Sequence, residues 1–459
     1  MDATVARRLA RFVRALSLET VPASIADQAR LLTLDILGSG LASSTMDFGR
    51  AVSDTARALG GPPESIIIGA DTRVAAANAV LANGTLAHGL DFDDTREDAI
   101  VHTGCVAVPA ALAVGEAVGA SGAAVLEGVV AGVEVMCRIG LAVPGQLHAR
   151  HFHPTGATAA FAAAAVAGKL RGLDEDALVR ALGICGSQAS GIIEYLADGS
   201  STKRLHPGWG AHAGLVAVEL ARAGFTGPST VFEGDHGFYQ ALAGGVDAVR
   251  LERHVASLGR AWELGNLTFK PYPCGSIAQP YMDCARALRA RHALTPDTIA
   301  AVRCRTAAGP VPRLWEPLEG KHRPPNGYAA KFSLPYLLAV VLTRGTLTLA
   351  DTTDAAVADE ALLALAARVT YEIDAGIDYP RQFVGDVRVT TTDGRTVEDR
   401  RDHPRGGPDD PMSASEIVEK FRANAALRLN REKIDAVVAA VEALPTAADL
   451  RPLTRALTS

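Results

Sequence analysis

Alanine-rich segments with helical spacing dominate the first 170 residues and restrict the folds that this chain can adopt. Residues 157–170 contain so many alanines that neighbouring helices have to pack closely around them, and residues 107–118 and 123–138 are mostly apolar. Side chains three and four positions apart share one face of a helix. These segments therefore predict a buried helical bundle rather than a sheet.

The pattern changes near residue 267, where short segments of alternating polarity begin. Residues 298–306, 369–373 and 386–392 alternate as strands do. From Ser413 the spacing is helical again, and Ser413 together with Glu416 forms a candidate capping box.

We therefore predict a mainly α fold with two domains. A large, discontinuous all-α helical domain combines residues 1–266 with residues 411–459. A smaller α+β lid domain covers residues 267–410.

Composition and charge exclude several classes of protein. The chain has 459 residues, 48% hydrophobic and 21% charged, which is ordinary for a soluble enzyme with room for two domains. A net charge of -6 and only 5% aromatic residues argue against a nucleic-acid partner. No apolar run approaches the ~18 residues that span a membrane. The six cysteines form no C-x-x-C pair, which predicts reduced thiols and a cytoplasmic protein.

The segment 87–104, AHGLDFDDTREDAIVHTG, concentrates carboxylates and imidazoles beside apolar sequence. Such groups are costly to desolvate, so we interpret this segment as half of an active site. The candidate site residues of this segment are the following: His88, Asp91, Asp93, Asp94, Thr95 and His102.

Two further segments contain polar groups suited to a substrate anion. In RHFHPTG, from residue 150, His153 precedes a predicted helix N-terminus, where a carboxylate is favoured, although a histidine satisfied within the core fits the spacing equally. In SSTKRLHPGWGAH, from residue 200, Lys203 and Arg204 lie among glycines. This pattern predicts a flexible cationic site for a carboxylate or phosphate, or alternatively a solvated basic loop.

A third segment, FKPYPCG from residue 269, holds Tyr272 between two prolines. This arrangement suits either a positioned phenol or a tyrosine that packs a turn. Cys274 has no nucleophile signature around it and is interpreted as a packing thiol.

Several familiar catalytic motifs are absent from the sequence. It contains no G-x-S-x-G elbow, no P-loop and no H-E-x-x-H motif. A metal site could be built from His88, Asp91, Asp93 and His102, but the acidic spacing does not match the D-D-x-x-D pattern of terpenoid enzymes. We therefore expect a metal-free and cofactor-free site in which proton abstraction occurs next to a carboxylate.

Six runs of sequence carry a resemblance that covers nearly the whole chain in one order: AHGLDFDDT, HFHPTGATAAFAAAAVAGKLRGLD, TKRLHPGWGAHAG, FTGPSTVFEGDHGF, FKPYPCGS and AKFSLPY. They resemble the MmgE/PrpD family of 2-methylcitrate dehydratases, cis-aconitate decarboxylases and iminodisuccinate epimerases. The resemblance implies a helical domain built from both chain ends, a lid domain, homodimers and cofactor-independent chemistry on small polycarboxylates. It also implies site roles for these residues: Asp91, Thr95, His102, His153, Lys203 and Lys270. With these roles assigned, Asp93 and Asp94 are expected to cap the following turn or to pair with nearby arginines.

One departure from the family pattern bears on the reaction. The decarboxylases of this family carry a histidine shortly after the lysine that Lys270 matches, whereas residues 272–275 here read YPCG. His102 also lies one residue further from Thr95 than in the decarboxylases. These differences favour another reaction of the family.

We accordingly expect a lyase that acts at the carbon α to a carboxylate. His102 or His153 removes the proton, and the other histidine or Tyr272 acts as the acid. Lys203 and Arg204 hold carboxylates. Asp91 orients a histidine, and Thr95 donates a hydrogen bond.

Dehydration of a 2-methylcitrate-like substrate is the first expectation for this site. Epimerisation of an iminodisuccinate-like substrate and cis-aconitate-like decarboxylation are alternatives. A non-enzymatic carboxylate-binding protein is the alternative from another class.

Overall fold

The computed structural model describes residues 4–458. Helices account for 59% and strands for 8% of the structure, so the predicted mainly α fold with a smaller mixed α and β region is confirmed. Within residues 4–458, every helix is too short or too polar to cross a bilayer. The six cysteines are buried and free.

Helices form most of the chain between residues 4 and 270. They are α1 (Val5–Ala15), α2 (Ala23–Ser43), α3 (Asp47–Leu59), α4 (Ala76–His88), α5 (Gly104–Val118), α6 (Gly122–Ala142), α7 (Gln146–Ala149), α8 (Pro154–Leu170), α9 (Glu175–Gln188), α10 (Thr202–Arg222) and α11 (Ala248–Ala256). A short antiparallel pair joins β1 (Ser65–Ile66) to β2 (Arg73–Val74). The alanine-rich α8 packs against α5, α6, α9 and α10, as its small side chains permit.

The following segment mixes helices with a sheet. Its elements are α12 (Gln279–His292), β3 (Ile299–Thr306), α13 (Val311–Leu314), α14 (Leu318–His322), α15 (Gly327–Ala330), α16 (Leu334–Arg344), α17 (Glu360–Ala366), β4 (Val369–Ile373), β5 (Gly385–Thr391) and β6 (Thr396–Arg401). The sheet order is β4-β3-β5-β6, with β3 and β4 parallel and the other pairs antiparallel. The strands predicted from alternation are confirmed.

The chain then returns to helices α18 (Ala414–Ala425), α19 (Arg431–Glu442) and α20 (Arg451–Leu457). The capping box predicted at Ser413 and Glu416 opens α18, and this helix packs on α2. Gly38 of α2 permits the approach, because a Cβ there would lie 3.0 Å from the Phe421 ring.

Two large hydrophobic clusters divide the molecule. One extends over Val5 to Phe269 and over Ile417 to Leu457, and we call these residues the helical part. The other extends from Tyr272 to Val389, and we call it the α+β part. These clusters do not define domain boundaries, so the predicted domain limits stay a prediction.

The prediction of a flexible glycine-containing loop at residues 200–212 was wrong, because α10 already begins at Thr202. Gly208 permits close packing rather than flexibility, since a Cβ there would lie 2.2 Å from the Leu81 carbonyl oxygen of α4. Burial against α4 and α8 therefore outweighs the helix-propensity cost of Gly208 and Gly210, about 1 kcal/mol each.

Candidate active site

An interior cavity of about 70 Å³ lies where the helical part meets the α+β part. Five of the residues selected from the sequence line it: Asp91, Thr95, His102, His153 and Lys203. The α+β part supplies the opposite wall, which consists of Gly275, Ser276, Ile277, Arg313, Leu314, Phe332 and Phe383. The structure thus brings three distant polar segments of the sequence around one space.

The loop after α4 is held by three buried lysines. Lys331, Lys270 and Lys420 donate hydrogen bonds to three consecutive backbone carbonyls, those of residues 90, 91 and 92, over 2.9, 3.1 and 2.7 Å. Asp91 at the centre has a left-handed backbone, with φ of 53°. This conformation is uncommon for a residue other than glycine, and the lysine contacts on both sides hold it in place.

Asp91 forms a buried ion pair with Lys203 of α10. Burial alone would raise the pKa of the Asp91 carboxyl group, but the ammonium groups of Lys203 and Lys270 outweigh burial and hold this pKa well below its usual range. The Asp91 carboxyl group is therefore ionised at neutral pH. The ion pair places the lysine, not a histidine, beside Asp91, contrary to the sequence-based expectation that Asp91 orients an imidazole.

Asp93 is the carboxylate that orients a histidine. Its Oδ2 lies 2.7 Å from Nδ1 of His88, and both side chains are fully buried. Burial lowers the pKa of His88, so a neutral ring donates its Nδ1 proton to the carboxylate. The expectation that Asp93 caps a turn or pairs with an arginine was wrong. Sequence reasoning considered this pair only as metal ligands.

Asp94 accepts hydrogen bonds at the start of α5, nine and ten residues further along the chain, and so caps this helix rather than the turn that follows Asp94. Its carboxylate accepts hydrogen bonds from the Thr103 amide, the Thr103 hydroxyl and the Gly104 amide at 3.0, 2.8 and 2.8 Å. The cap fixes the segment that carries His102 into the cavity wall.

The surroundings of His102 determine which of its nitrogens is basic. Nδ1 lies 2.7 Å from the Asp94 carbonyl oxygen and 3.2 Å from the Thr95 hydroxyl. A carbonyl only accepts hydrogen bonds, so Nδ1 carries the proton and Nε2 keeps its lone pair. Burial and the charge of Lys270 lower the pKa of His102 well below its ordinary value, so the ring is neutral.

His153 is the N-cap residue of α8, as the sequence predicted, and it is buried while His151 is exposed. Burial and the charge of Lys203 lower its pKa well below the ordinary value. The rings of His102 and His153 have centroids 6.2 Å apart, and His88 lies between them at 4.8 and 5.5 Å. Three neutral imidazoles thus meet at one side of the cavity.

The remaining three candidates lie outside the cavity lining. The Tyr272 hydroxyl donates a hydrogen bond to Oδ1 of Asp283 over 2.9 Å within the core of the α+β part. Burial raises the pKa of the Tyr272 phenol. Arg204 stacks between Phe48 and Tyr328, with its guanidinium 4.3 and 3.8 Å from the two ring centroids. Lys270 donates a hydrogen bond to the backbone carbonyl of Asp91 and lies outside the cavity lining. The structure therefore places these side chains in supporting positions.

Sequence reasoning missed three groups at or near the cavity. Arg313 and His148 line it, and Lys331 holds the loop beneath it. Burial lowers the pKa of Lys331 to about 7. The run AKFSLPY contained Lys331, but nothing in its local pattern indicated a contact with residue 90.

His88, His102 and His153 are also close enough together to hold a metal ion. One nitrogen of each of His88, His102 and His153 lies within 4.8 Å of the others. The ammonium groups of Lys203 and Lys270 lie beside these rings, and the carboxylates of Asp91 and Asp93 lie beside these two lysines. The charges around the three rings are therefore mixed, and the metal-free site expected from the sequence stays a prediction.

The sequence matches two models of one family in chain order. Residues 7–250 match the MmgE/PrpD N-terminal domain, and residues 272–444 match the MmgE/PrpD C-terminal domain.

The chain belongs to the MmgE/PrpD family.

Relatives from other organisms cover most of the chain. It is 27% identical to a cis-aconitate decarboxylase-like protein, oryM, of Aspergillus oryzae, over 98% of this chain and 97% of that protein. It is 26% identical to cis-aconitate decarboxylase of Mus musculus, over 99% and 93%. The 2-methylcitrate dehydratase of Cupriavidus necator is 27% identical over 62% of this chain and 61% of that protein. The chain is accordingly an enzyme of the lyase type found in this family.

Proposed function

We propose that this MmgE/PrpD protein is a hydro-lyase that removes water from a small di- or tricarboxylate similar to 2-methylcitrate. The observation that carries this proposal is the convergence of neutral His102 and His153 with the cation of Lys203 in one cavity. Proton abstraction α to a carboxylate needs a neutral base, an acid and a positive group beside the developing negative charge.

His102 serves as the base in this mechanism. The Asp94 carbonyl fixes the Nδ1 proton, so Nε2 is ready to take the α-proton of the substrate. The Thr95 hydroxyl supports the same ring and is itself 2.7 Å from the Ser276 hydroxyl. His153 serves as the acid that protonates the departing hydroxyl group.

Lys203 and Arg313 approach the cavity from opposite parts of the molecule, and each can hold a substrate carboxylate. Asp91 keeps the ammonium of Lys203 in place. Ile277, Leu314 and other apolar residues of the α+β part exclude water from the reacting carbon. They also favour a substrate that carries an apolar group next to that carbon.

Decarboxylation is the second candidate, because the relatives that align over nearly the whole chain are cis-aconitate decarboxylases. Against it, residues 275–277 contribute the Ser276 hydroxyl to the cavity and no imidazole. Epimerisation of an iminodisuccinate-like substrate needs the same α-proton abstraction without a leaving group.

A single panel of substrates distinguishes these reactions. Chelator-treated enzyme is incubated with 2-methylcitrate, cis-aconitate and iminodisuccinate, while alkene absorbance, carbon dioxide release and optical rotation are followed. Alkene formation from 2-methylcitrate without carbon dioxide supports the proposal. Carbon dioxide from cis-aconitate, or loss of rotation alone, contradicts it in favour of the corresponding alternative.

A carboxylate-binding protein without catalysis predicts a different result. It would bind these polycarboxylates in calorimetry yet convert none of them, with the wild type and His102→Gln behaving alike. Turnover by the wild type that is lost in a folded, ligand-binding His102→Gln variant rejects that alternative.

A further inference from the structure

The His153 ring forms a hydrogen bond with another imidazole, that of His206. Nδ1 of His153 lies 3.0 Å from Nδ1 of His206, and the ring centroids are 5.2 Å apart. A hydrogen bond between two nitrogens contains one proton, so one ring is the donor and the other the acceptor. The tautomers of the two rings are therefore coupled: whichever ring holds the shared proton has its lone pair on Nε2.

Two glycines fix the position of the His206 ring. A Cβ on Gly156 would lie 3.1 Å from Cβ of His206, and a Cβ on Gly191 would lie 3.3 Å from Cγ of His206. Gly191 also has a left-handed backbone, with φ of 107°. The ring is thus packed between two backbone segments that leave it room, with Nδ1 directed at His153.

His206 faces a different space from His153. It lines a surface groove of about 510 Å³ together with Tyr195, Leu205 and neighbouring residues. Among the described residues, the interior cavity is lined by His153 and not by His206, whereas the groove is lined by His206 and not by His153. The hydrogen bond between the two rings therefore connects the cavity with the surface groove.

We propose that His206 supplies His153 with protons from the surface groove and thereby sets whether His153 is an acid or a base. This inference rests on the proposed function, in which His153 acts as the acid. His206 does not touch the cavity, so it is a positioning residue that acts through His153.

During dehydration, protons move at three rings, those of His102, His153 and His206. His102 takes the α-proton, and the C–O bond breaks with its electron pair on oxygen, which receives the Nε2 proton of His153 and leaves as water. The shared proton moves from Nδ1 of His206 to Nδ1 of His153, and Nε2 of His206 takes a proton from a buffer acid in the groove. Both rings end neutral, with the hydrogen bond between them reversed. Nε2 of His153 then accepts the proton that His102 took, the shared proton returns to Nδ1 of His206, and Nε2 of His206 releases its proton to a buffer base in the groove. All three rings are thereby restored, and the net product besides the alkene is one water molecule.

The charged and titratable groups around the pair favour rapid transfer over storage of a proton. They come from α4, the segment before α5, α10 and the segment before α10: His88, His102, Lys203 and Tyr195. Burial lowers the pKa of His206 to about 4, and the neighbouring His88 and the ammonium group of Lys203 act in the same direction. Neither ring keeps a positive charge at neutral pH, so a proton that arrives at one side is released at the other.

The test compares His206→Ala with His212→Ala on the full-length enzyme. His212 is on the same helix, bonds the Ala77 carbonyl at 2.8 Å and stacks on Trp209, so it is a matched histidine outside the cavity. We expect His206→Ala to lower kcat about 10- to 100-fold with KM within threefold, and added imidazole to restore most of kcat. His212→Ala should keep kcat and show no imidazole effect. Unchanged kcat, a loss confined to KM or a loss that imidazole does not restore would overturn the proposal.

Nitrogen NMR tests the relay without turnover. In protein with ¹⁵N-labelled histidine, we expect one ring of the pair to be the Nδ1–H tautomer and the other the Nε2–H tautomer. His206→Gln, which preserves the fold better than alanine, should shift the His153 signals and leave those of His212 unchanged. Two Nε2–H rings would overturn the relay even if the enzyme dehydrates its substrate. A mixed pair in a protein that converts no polycarboxylate would overturn the proposed function alone.

Discussion

The helical part contains two buried clusters of charged side chains that differ in what surrounds them. The cavity cluster is His88, Asp91, Asp93, His102 and Lys203, and the structural cluster is Arg96, Glu134, Arg138 and Glu263. In the structural cluster, both oxygens of Glu134 accept hydrogen bonds, from Arg138 at 2.5 Å and from the Leu264 amide at 2.9 Å.

The cavity cluster keeps unused hydrogen-bonding capacity. Among the described residues, Nε2 of His88, Oδ2 of Asp91 and Oδ1 of Asp93 are buried without a hydrogen-bond partner. In the structural cluster, Nε of Arg138 is also buried without a partner within residues 4–458, but it is a donor, and Arg138 donates through its other nitrogens to Glu134 and to the Ala261 carbonyl at 2.7 Å. Buried charge alone thus does not distinguish a candidate active site, whereas free acceptors beside a cavity do.

The largest expected effect separates the clusters by activity. His102→Gln should lower kcat at least about 10³-fold, because it removes the neutral imidazole that lines the cavity and serves as the base, while the thermal midpoint changes little. Glu134→Gln should keep kcat within twofold and lower the midpoint. Steady-state kinetics and calorimetry measure both, and comparable losses of kcat in the two variants would remove the distinction.

The next largest effect is a difference between the two clusters in their contribution to the free energy of unfolding. Arg138→Leu leaves the Glu134 carboxylate buried without its cation and should cost about 3–5 kcal/mol of unfolding free energy. Lys203→Met should cost less than half as much, because the ammonium group of Lys270 still offsets the charge of the Asp91 carboxylate. Urea unfolding of both variants tests this order, and equal losses would show that Lys270 gives no relief.

A smaller effect concerns pH and the lysines that hold the loop. Burial lowers the pKa of Lys331 to about 7 in the folded state, whereas a lysine in the unfolded chain titrates near 10.5. Between these values the unfolded state binds more protons, so stability rises with pH, by up to about 1.4 kcal/mol per pH unit. A neutral amine still has two N–H bonds, which match the carbonyls of Leu90 and Pro273.

Unfolding free energies of the wild type and Lys331→Met at pH 7, 8 and 9 measure this contribution. The wild type should gain stability relative to the variant across that range. A constant difference between the two proteins would mean that Lys331 is charged in the folded state.

The smallest expected effect is that of Tyr272→Phe. Because the phenol is bonded to Asp283 within the α+β part, its loss should leave kcat/KM within twofold and cost about 1–3 kcal/mol of stability. Kinetics and urea unfolding check both values. A tenfold fall in kcat with unchanged stability would restore Tyr272 to the acid role that the sequence allowed.

The sequence by itself determined the features that depend on near neighbours. Apolar spacing predicted the helices, alternation predicted β3, β4 and β5, and Ser413 with Glu416 predicted the start of α18. The position of His153 before a helix followed from the Pro154 and Gly156 beside it. These features form locally, so a short window of sequence contains their causes.

Only the tertiary structure decided the partners of the buried charges. Lys331 and Lys420 bond the carbonyls of residues 90 and 92 across 241 and 328 residues of sequence, and His206 meets His153 across 53. Asp91 pairs with Lys203 and Asp93 pairs with His88, although the spacing of these residues in the sequence allowed other pairings. A buried ion accepts whichever partner the packing of helices brings within reach, and that packing is set by the whole chain rather than by the residues next to it.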